Sequence, residues 1–272
     1  MHKKVKAFLL SIVFVYISAS SLYSQLYTLE NSYLKREISV DQQKLATVKI
    51  TNKLTGQDFN IESEEFSVKF QEGGLLTNNN FLVTDVDEQT LEDGGKRLII
   101  YMDNSSQGLE LIANYELLGA DFYTRKWILI KNVSDSTLLL EVVEPERMRI
   151  VGAELEYSGF GAQGMGDFIS QTVNQDHYMA NNYNQFDFEI KVKYKDWPNE
   201  CPLGQPVIIS DFFMGLEYPA AYNCVYNQEY IFLRHYPGCN LESNQDFTSR
   251  KVVIGVGEDG DIRSRFIEYI VR

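Results

Sequence analysis

The sequence predicts an all-β fold, an antiparallel sandwich that ends in a short helix. Three observations support this prediction. The chain is rich in aromatic strand formers, with 17 tyrosines and 16 phenylalanines, and it has only 6 prolines. Short apolar or alternating runs recur between clusters of glycine, asparagine and aspartate, which is typical of sandwiches rather than of alternating β and α units. Helical periodicity is confined to the C-terminal end of the chain.

Short strands are predicted at five positions in the first half of the chain. These runs are 46–50, 66–70, 97–101, 110–115 and 126–130. Asp93-Gly94-Gly95 predicts a hairpin turn, because glycine adopts positive φ without a steric cost. In the fifth run we expect Trp127 to fill the core between the sheets and Asn132 to tolerate the turn that follows.

The last third of the chain contains two polar-aromatic segments, 203–219 and 233–238, followed by a predicted strand within 249–257. A closing helix is predicted at 261–270, since Ile262, Phe266, Tyr269 and Ile270 would share one face. No repeat or low-complexity linker interrupts the region after the N-terminal segment. The sequence therefore predicts one β-sandwich domain over residues 25–272.

Residues 1–24 have the pattern of a signal peptide. Lys3, Lys4 and Lys6 precede an apolar run at 7–19, and small residues follow it. Cleavage after Ser21 or after Ser24 fits this pattern equally well. The apolar run is shorter than the roughly 20 residues that a membrane-spanning helix needs, so an uncleaved anchor is the weaker alternative. We expect a secreted or periplasmic protein that has no membrane contact after cleavage.

Charge and cysteine content narrow the set of partners. The formal net charge of −13 opposes binding to nucleic acids and to anionic membranes, whereas a neutral ligand is compatible with it. Two of Cys201, Cys224 and Cys239 would pair in an oxidising compartment, or all three would be free thiols. Their spacing does not favour a metal site, and no motif indicates a cofactor: the glycine-rich stretch 159–166 lacks the lysine and hydroxyl residue of a phosphate-binding loop.

Several segments together resemble a known family. These are 123–134, 138–143, 203–219, 233–238 and 249–257. They resemble the N-terminal β-supersandwich domain that precedes the catalytic barrel in glycoside hydrolases of the α-galactosidase clan. The resemblance implies a supersandwich of the galactose mutarotase-like type, a galactoside or related glycan as ligand, and a catalytic barrel as partner. It also implies that this chain carries no catalytic residues, because the family's catalytic carboxylates lie on the barrel.

The resemblance also singles out candidate ligand contacts in the last third of the chain. Polar side chains that suit sugar hydroxyls are Asp211, Glu217, Arg234 and His235, and aromatic rings that suit a pyranose face are Trp197, Tyr218 and Tyr236. The alternative role for these residues is packing or a domain interface. Two alternative functions stay open: a stand-alone glycan-binding module, and a mutarotase-like enzyme that would use His177, His235 and Glu217 for acid–base chemistry.

Overall fold

The structure is a computed structural model that describes residues 24–152, 199–201, 206–209, 211–226, 230–258 and 260–272, with the backbone alone at 199–201 and 224–226. Its elements are β1 (Gln25–Glu30), β2 (Leu34–Asp41), β3 (Lys44–Asn52), β4 (Gln57–Phe70), β5 (Leu75–Thr77), β6 (Leu82–Thr90), β7 (Lys96–Asn104), β8 (Leu109–Leu117), β9 (Tyr123–Asn132), β10 (Leu138–Ile150), β11 (Asn199–Cys201), β12 (Val207–Ile209), β13 (Phe212–Leu216), β14 (Tyr222–Tyr226), β15 (Tyr230–His235), β16 (Cys239–Leu241), β17 (Asp246–Thr248), β18 (Val252–Val256) and α1 (Ile262–Val271). The predicted signal peptide, 1–24, lies almost wholly outside the described residues, as do Trp197, His177 and the glycine-rich stretch 159–166.

The strands form two antiparallel sheets. The larger sheet has the order β1-β2-β3-β4-β10-β15-β14-β11, with β5 beside β4 and β16 beside β10. The smaller sheet has the order β12-β13-β18-β9-β8-β7-β6, with β17 beside β9. Buried apolar side chains of both sheets form one core, and contacts such as that between Phe59 of β4 and Phe212 of β13, 4.1 Å between ring centroids, join the two layers. The predicted all-β sandwich is confirmed.

The five predicted runs all lie within strands, namely β3, β4, β7, β8 and β9. Asp93-Gly94-Gly95 forms the turn between β6 and β7, with Gly94 at a φ of 81°. Asn132 holds its turn by hydrogen bonds rather than by a left-handed backbone: its amide donates to the carbonyls of Ser136 and Leu241 at 2.7 and 2.9 Å. It therefore acts as a side-chain bridge between β9 and the loop beyond it.

The prediction that Trp127 fills the core is wrong. Trp127 is only half-buried, and cations lie on its ring, with the Lys251 ammonium 4.6 Å from the ring centroid. Its neighbours Lys126 and Ile128 are fully buried instead. Because side chains alternate along a strand, the burial of Lys126 turns Trp127 to the outer face of the smaller sheet.

Lys126 is buried because it belongs to a cluster of charged groups between the sheets. Its Nζ lies 2.6 Å from Oε2 of Glu65 and 3.0 Å from Oε1 of Glu146, while Arg36 reaches Glu146 at 3.0 Å. The hydroxyl of Tyr115 donates to Glu65 at 2.5 Å. Burial raises the pKa of the Glu65 carboxyl, but Lys126 and Arg36 outweigh that effect and hold the pKa well below its usual range.

Irregularities of the backbone turn these carboxylates inward. The register of β4 against β10 shifts between Glu144 and Arg147, so that Glu146 lies in a bulge. Glu65 has a φ of 57°, which is unusual for a residue with a side chain. We refer to Arg36, Glu65, Tyr115, Lys126 and Glu146 as the buried charge cluster.

The C-terminal helix packs on the smaller sheet, against β13 and β18. The phenyl ring of Phe266 lies 5.2 Å from that of Phe213, and Ile262 is buried with it, as the predicted apolar face requires. Ile270 does not join that face, since it is 62% exposed. The ring of Phe213 lies across Gly255, where a Cβ atom would come within 2.1 Å of it, so the missing side chain at this position lets strand and helix meet. No helix among the described residues is long and apolar enough to cross a membrane.

Candidate functional site

The predicted ligand contacts do not form one site. Glu217 and Tyr218 line a surface cleft beside α1, whereas Arg234 and Tyr236 lie at the end of β15 on the larger sheet. His235 is buried, and Trp197 lies outside the described residues. The side chains of β15 alternate, so Arg234 and His235 point to opposite faces.

The cleft lies where β13, β18 and β9 approach the C-terminal half of α1. Its volume is about 540 Å³, which is within the usual range of ligand pockets, roughly 300–1,000 Å³. The described residues that line it are Arg125, Pro206, Gly215, Leu216, Glu217, Tyr218, Pro219, Val253, Phe266, Tyr269, Ile270 and Arg272. Apolar and aromatic side chains thus form the walls, with a few polar groups among them.

Glu217 is held at the centre of this cleft by two donors. Arg125 Nε donates to its Oε1 at 2.7 Å, and the hydroxyl of Tyr269 donates to the same oxygen at 2.6 Å. Arg125 comes from β9 and lies over the ring of Tyr123, 4.9 Å from its centroid. Two elements distant in sequence, β9 and α1, therefore fix one carboxylate, which limits the rotamers available to it.

The ionisation states of these groups are also fixed. Burial, the hydrogen bond to Glu217 and the charge of that carboxylate all raise the pKa of the Tyr269 hydroxyl, so the phenol stays protonated and donates. Partial burial opposes the charge of Arg125, but the bond to Glu217 and its negative charge prevail and raise the pKa of the guanidinium. Both donors to Glu217 therefore keep their protons across the physiological range.

Tyr218 is half-buried, and neighbouring side chains already cover part of its ring. The guanidinium of Arg250 lies over its ring, 4.7 Å from the centroid. The ring also meets His235 edge-on, with 6.3 Å between centroids. A sugar would therefore meet the edge of Tyr218 and the neighbouring apolar side chains more readily than an open ring face.

His235 is a core residue. It is 4% exposed, its ring stacks on that of Phe247 with 5.9 Å between centroids, and its Nε2 has no hydrogen-bond partner among the described residues. Burial, with the positive charge of Arg250, lowers the pKa of the imidazole to about 4. A neutral imidazole enclosed by aromatic rings cannot deliver a proton to a ligand on the surface.

Arg234 belongs to a saturated ion cluster on the larger sheet. It donates to Oε1 of Glu144 from Nε and Nη2, at 2.8 and 2.5 Å. The other oxygen of Glu144 accepts from Ser67 at 2.5 Å and from Arg147 at 2.8 Å. Tyr236 stands beside this cluster, 46% exposed, with its ring edge-on to Tyr222. Glu144 is buried and fully bonded, so it has no capacity left for a ligand.

Asp211 and Cys239 lie within the packed part of the sandwich rather than in the cleft. Asp211 is buried, and its main-chain carbonyl accepts a hydrogen bond from Gly257 at 3.0 Å, which ties the start of β13 to the end of β18. Cys239 is a free, half-buried thiol on β16. The side chains of Cys201 and Cys224 lie outside the described residues, so their pairing stays a prediction. In the described part of the chain no group of three or more histidine, cysteine or acidic residues is placed to hold a metal ion.

Sequence reasoning missed two of the three residues that define the cleft. Arg125 was hidden inside a strand pattern, and Tyr269 was assigned to the apolar face of the helix. The alternation of side chains along β9 could have identified Arg125. Arg125 shares a face of the strand with Tyr123 and Trp127, and this face is opposite to the one on which Lys126 lies.

Solved structures of other proteins share the fold of this chain. No protein-family model and no curated protein matches the sequence. Among solved structures, the GH36 alpha-galactosidase AgaA A355E D548N from Geobacillus stearothermophilus in complex with raffinose is similar, with a TM-score of 0.59 at 10% identity over 87% of this chain and 41% of that one. The alpha-galactosidase from Lactobacillus brevis has a TM-score of 0.56 at 10% identity over 87% of this chain and 40% of its own.

A TPR-domain containing protein from Parabacteroides distasonis has the same fold over 89% of this chain and 48% of its own, with a TM-score of 0.53 and 12% identity. The chain thus spans about 40% of the length of these α-galactosidases. At these identities the likeness establishes the fold alone. The resemblance to the β-sandwich part of α-galactosidases is therefore confirmed at the level of the fold.

Proposed function

We propose that this chain is a non-catalytic carbohydrate-associated domain of the glycoside hydrolase type, which contacts a galactoside or related glycan and docks on a catalytic barrel. The main support for the proposal is the similarity of fold. The sandwich accounts for nearly the whole of this chain, and it matches about 40% of the length of each α-galactosidase. A barrel partner would supply the chemistry, and the sandwich would complete the wall of its sugar pocket.

The composition of the cleft supports a non-catalytic role. Glycoside hydrolysis needs two carboxyl groups on either side of the glycosidic bond, roughly 5–10 Å apart. Glu217 is the only carboxylate among the described residues that line the cleft, and Arg125 and Tyr269 bind it. A carboxylate held by a cation and a phenol is suited to accept hydrogen bonds from a ligand rather than to transfer protons.

The outer surface of α1 supports docking. Ile267, Ile270 and Val271 are 53%, 62% and 80% exposed and lie within one turn of each other. Exposed apolar side chains that cluster in this way are typical of protein interfaces. They adjoin the cleft, so a partner that covers them would also enclose a ligand bound there.

The two alternative functions fare differently. A stand-alone glycan-binding module is the second candidate. The cleft favours it because residues of this chain alone supply both its polar groups and its apolar walls. The burial of His235, which does not line the cleft that holds Glu217, opposes a mutarotase-like mechanism. That mechanism needs its acid and base within reach of the same ligand.

Export is part of the proposal and rests on the N-terminal pattern of 1–24. Expression of the full chain in a bacterium, followed by mass spectrometry of the periplasmic and secreted fractions, should find a chain that begins at Leu22 or Gln25. An intact N-terminus in the membrane fraction would contradict export.

A thermal-shift screen tests the proposed function. The mature protein is heated with galactose, glucose, fucose, N-acetylgalactosamine and raffinose, and aryl α-galactosides are offered in a separate hydrolysis assay. At ten times Kd a ligand adds about 1.4 kcal/mol of stability, which raises Tm by roughly 3–6 °C in a domain of this size. We expect a saturable rise with a galactoside and no hydrolysis. No rise with any sugar would contradict carbohydrate contact, and hydrolysis abolished by Glu217→Gln or Asp211→Asn would contradict a non-catalytic role.

A further inference from the structure

The Arg125–Glu217 pair, which lines the cleft, has unused hydrogen-bonding capacity. Both bonds to Glu217 end on Oε1, and within the described part of the chain Oε2 has no bonded partner. Arg125 uses Nε for this bond, and its two terminal nitrogens have no hydrogen-bond acceptor among the described residues. The side chains are 24% and 26% exposed, so a ligand can reach both.

This pair combines an acceptor and donors side by side. A hydroxyl group both donates and accepts, so two adjacent hydroxyls can bind such a pair together, one donating to the carboxylate and the other accepting from the guanidinium. We propose that Glu217 Oε2 and the terminal nitrogens of Arg125 bind two neighbouring hydroxyls of a neutral sugar in this cleft. This inference rests on the proposed function and assigns the site and the chemistry of the ligand.

The charges around the pair select a neutral ligand. Arg125 is paired with Glu217, and Arg272, which also lines the cleft, is paired with Asp121 at 3.1 Å and with Glu268 at 2.8 Å. A charged sugar would therefore have to displace an existing partner to gain a counter-ion, whereas a neutral sugar would not. The net charge of −13 adds a further barrier to anions. The exposed apolar side chain of Ile270 offers a surface for the C–H face of a pyranose.

Tyr269 has a positioning role in this arrangement. Its ring is fixed by Tyr123 and Phe213, at 4.9 and 5.5 Å between centroids, and its hydroxyl holds Oε1 of Glu217. Because Tyr269 and Arg125 both bond to Oε1, Oε2 is left available to a ligand. The competing position, Arg234 with Glu144, lacks this capacity because Glu144 already accepts from three side chains.

Isothermal titration of the mature protein with methyl α-galactoside, galacturonic acid and galactosamine tests the inference. We expect the neutral galactoside to bind at least tenfold more tightly than either charged analogue. Glu217→Gln and Arg125→Gln should each weaken binding of the galactoside at least tenfold. Tyr269→Phe should weaken it severalfold and leave the preference for the neutral sugar unchanged, as expected of a positioning residue.

Glu110→Gln is the matched control. Glu110 is also an exposed carboxylate paired with a cation, Lys131 at 3.1 Å, but it lies outside the cleft. Its variant should bind as the wild type does, and circular dichroism should show that all variants are folded. Equal affinity of wild type, Glu217→Gln and Arg125→Gln would overturn the inference and leave the proposed function standing. Tighter binding of galacturonic acid would also overturn it, and binding of no sugar by the wild type would overturn both.

Discussion

Removal of the Lys126 charge should destabilise the sandwich strongly, because the buried charge cluster balances two cations with two carboxylates. Lys126 bonds Glu65 and Glu146 at 2.6 and 3.0 Å, and all three side chains are fully buried. Lys126→Met keeps the length of the side chain but leaves two carboxylates facing Arg36 alone. Loss of one partner from a buried ion pair costs about 3–5 kcal/mol, since an uncompensated charge stays in the core. We expect a loss of that size in the free energy of unfolding.

A second substitution should repair much of this loss. Lys126→Met with Glu65→Gln leaves one cation and one carboxylate, so the cluster is neutral again. The double variant should be about 2 kcal/mol more stable than the sum of the single effects predicts, which is within the range for residues in direct contact. Without Lys126, burial should also raise the pKa of Glu65 above that of the unfolded chain. The folded variant would then take up a proton more readily than the unfolded one, and its deficit should shrink between pH 7 and pH 5.

Urea unfolding followed by far-ultraviolet circular dichroism measures these differences. Lys131→Met is the control, since Lys131 lies on the same strand but its ion pair with Glu110 is 39% and 50% exposed. Such surface pairs contribute about 0–1 kcal/mol. The reasoning is refuted if Lys126→Met costs no more than Lys131→Met, or if the double variant shows no coupling.

Two further predictions concern other buried positions. The pKa of His235 is lowered to about 4 in the folded state, against 6.5 for the free side chain, so stability is complete above about pH 6.5 and falls as the unfolded chain gains protons at lower pH. Between pH 7 and pH 5 the loss in the free energy of unfolding is about 2 kcal/mol. In urea unfolding, the His235→Phe variant should not show this loss. A pH dependence equal to that of the wild type would contradict the burial of a neutral imidazole. Gly255→Ala should cost about 1–3 kcal/mol because its Cβ would lie 2.1 Å from the Phe213 ring, whereas Gly74→Ala, with nothing within 4 Å, should be neutral. Equal effects of the two substitutions on the free energy of unfolding would contradict the close contact between Gly255 and the Phe213 ring.

The secondary structure was largely predictable from local pattern. Alternating runs identified β3, β4, β7, β8 and β9, and the apolar spacing from Ile262 to Phe266 identified the helix. The face of β9 was assigned wrongly for a physical reason. Hydrophobicity places Trp127 inside and Lys126 outside, but the carboxylates that neutralise Lys126 come from β4 and β10, and nothing near Lys126 in sequence reveals them.

The candidate site was only partly predictable. Glu217 was identified as a ligand contact because it lies in a polar-aromatic segment, and it does line the cleft. Its partners Arg125 and Tyr269 lie 92 and 52 residues away in sequence. The strand order β13-β18-β9 brings Arg125 to Glu217, and the packing of α1 on the sheet brings Tyr269. Arg234 and His235 were grouped with Glu217 by their polarity, yet strand alternation sends one to a saturated ion cluster and the other to the core.

A crystal structure of the mature protein grown with methyl α-galactoside tests the central claim most directly, because it locates the sugar. The account predicts density for the sugar in the cleft beside α1, with neighbouring hydroxyls within hydrogen-bond distance of Glu217 Oε2 and of a terminal nitrogen of Arg125. A sugar bound instead at Arg234 and Tyr236, or a cleft that stays free of sugar at saturating concentration, would contradict it.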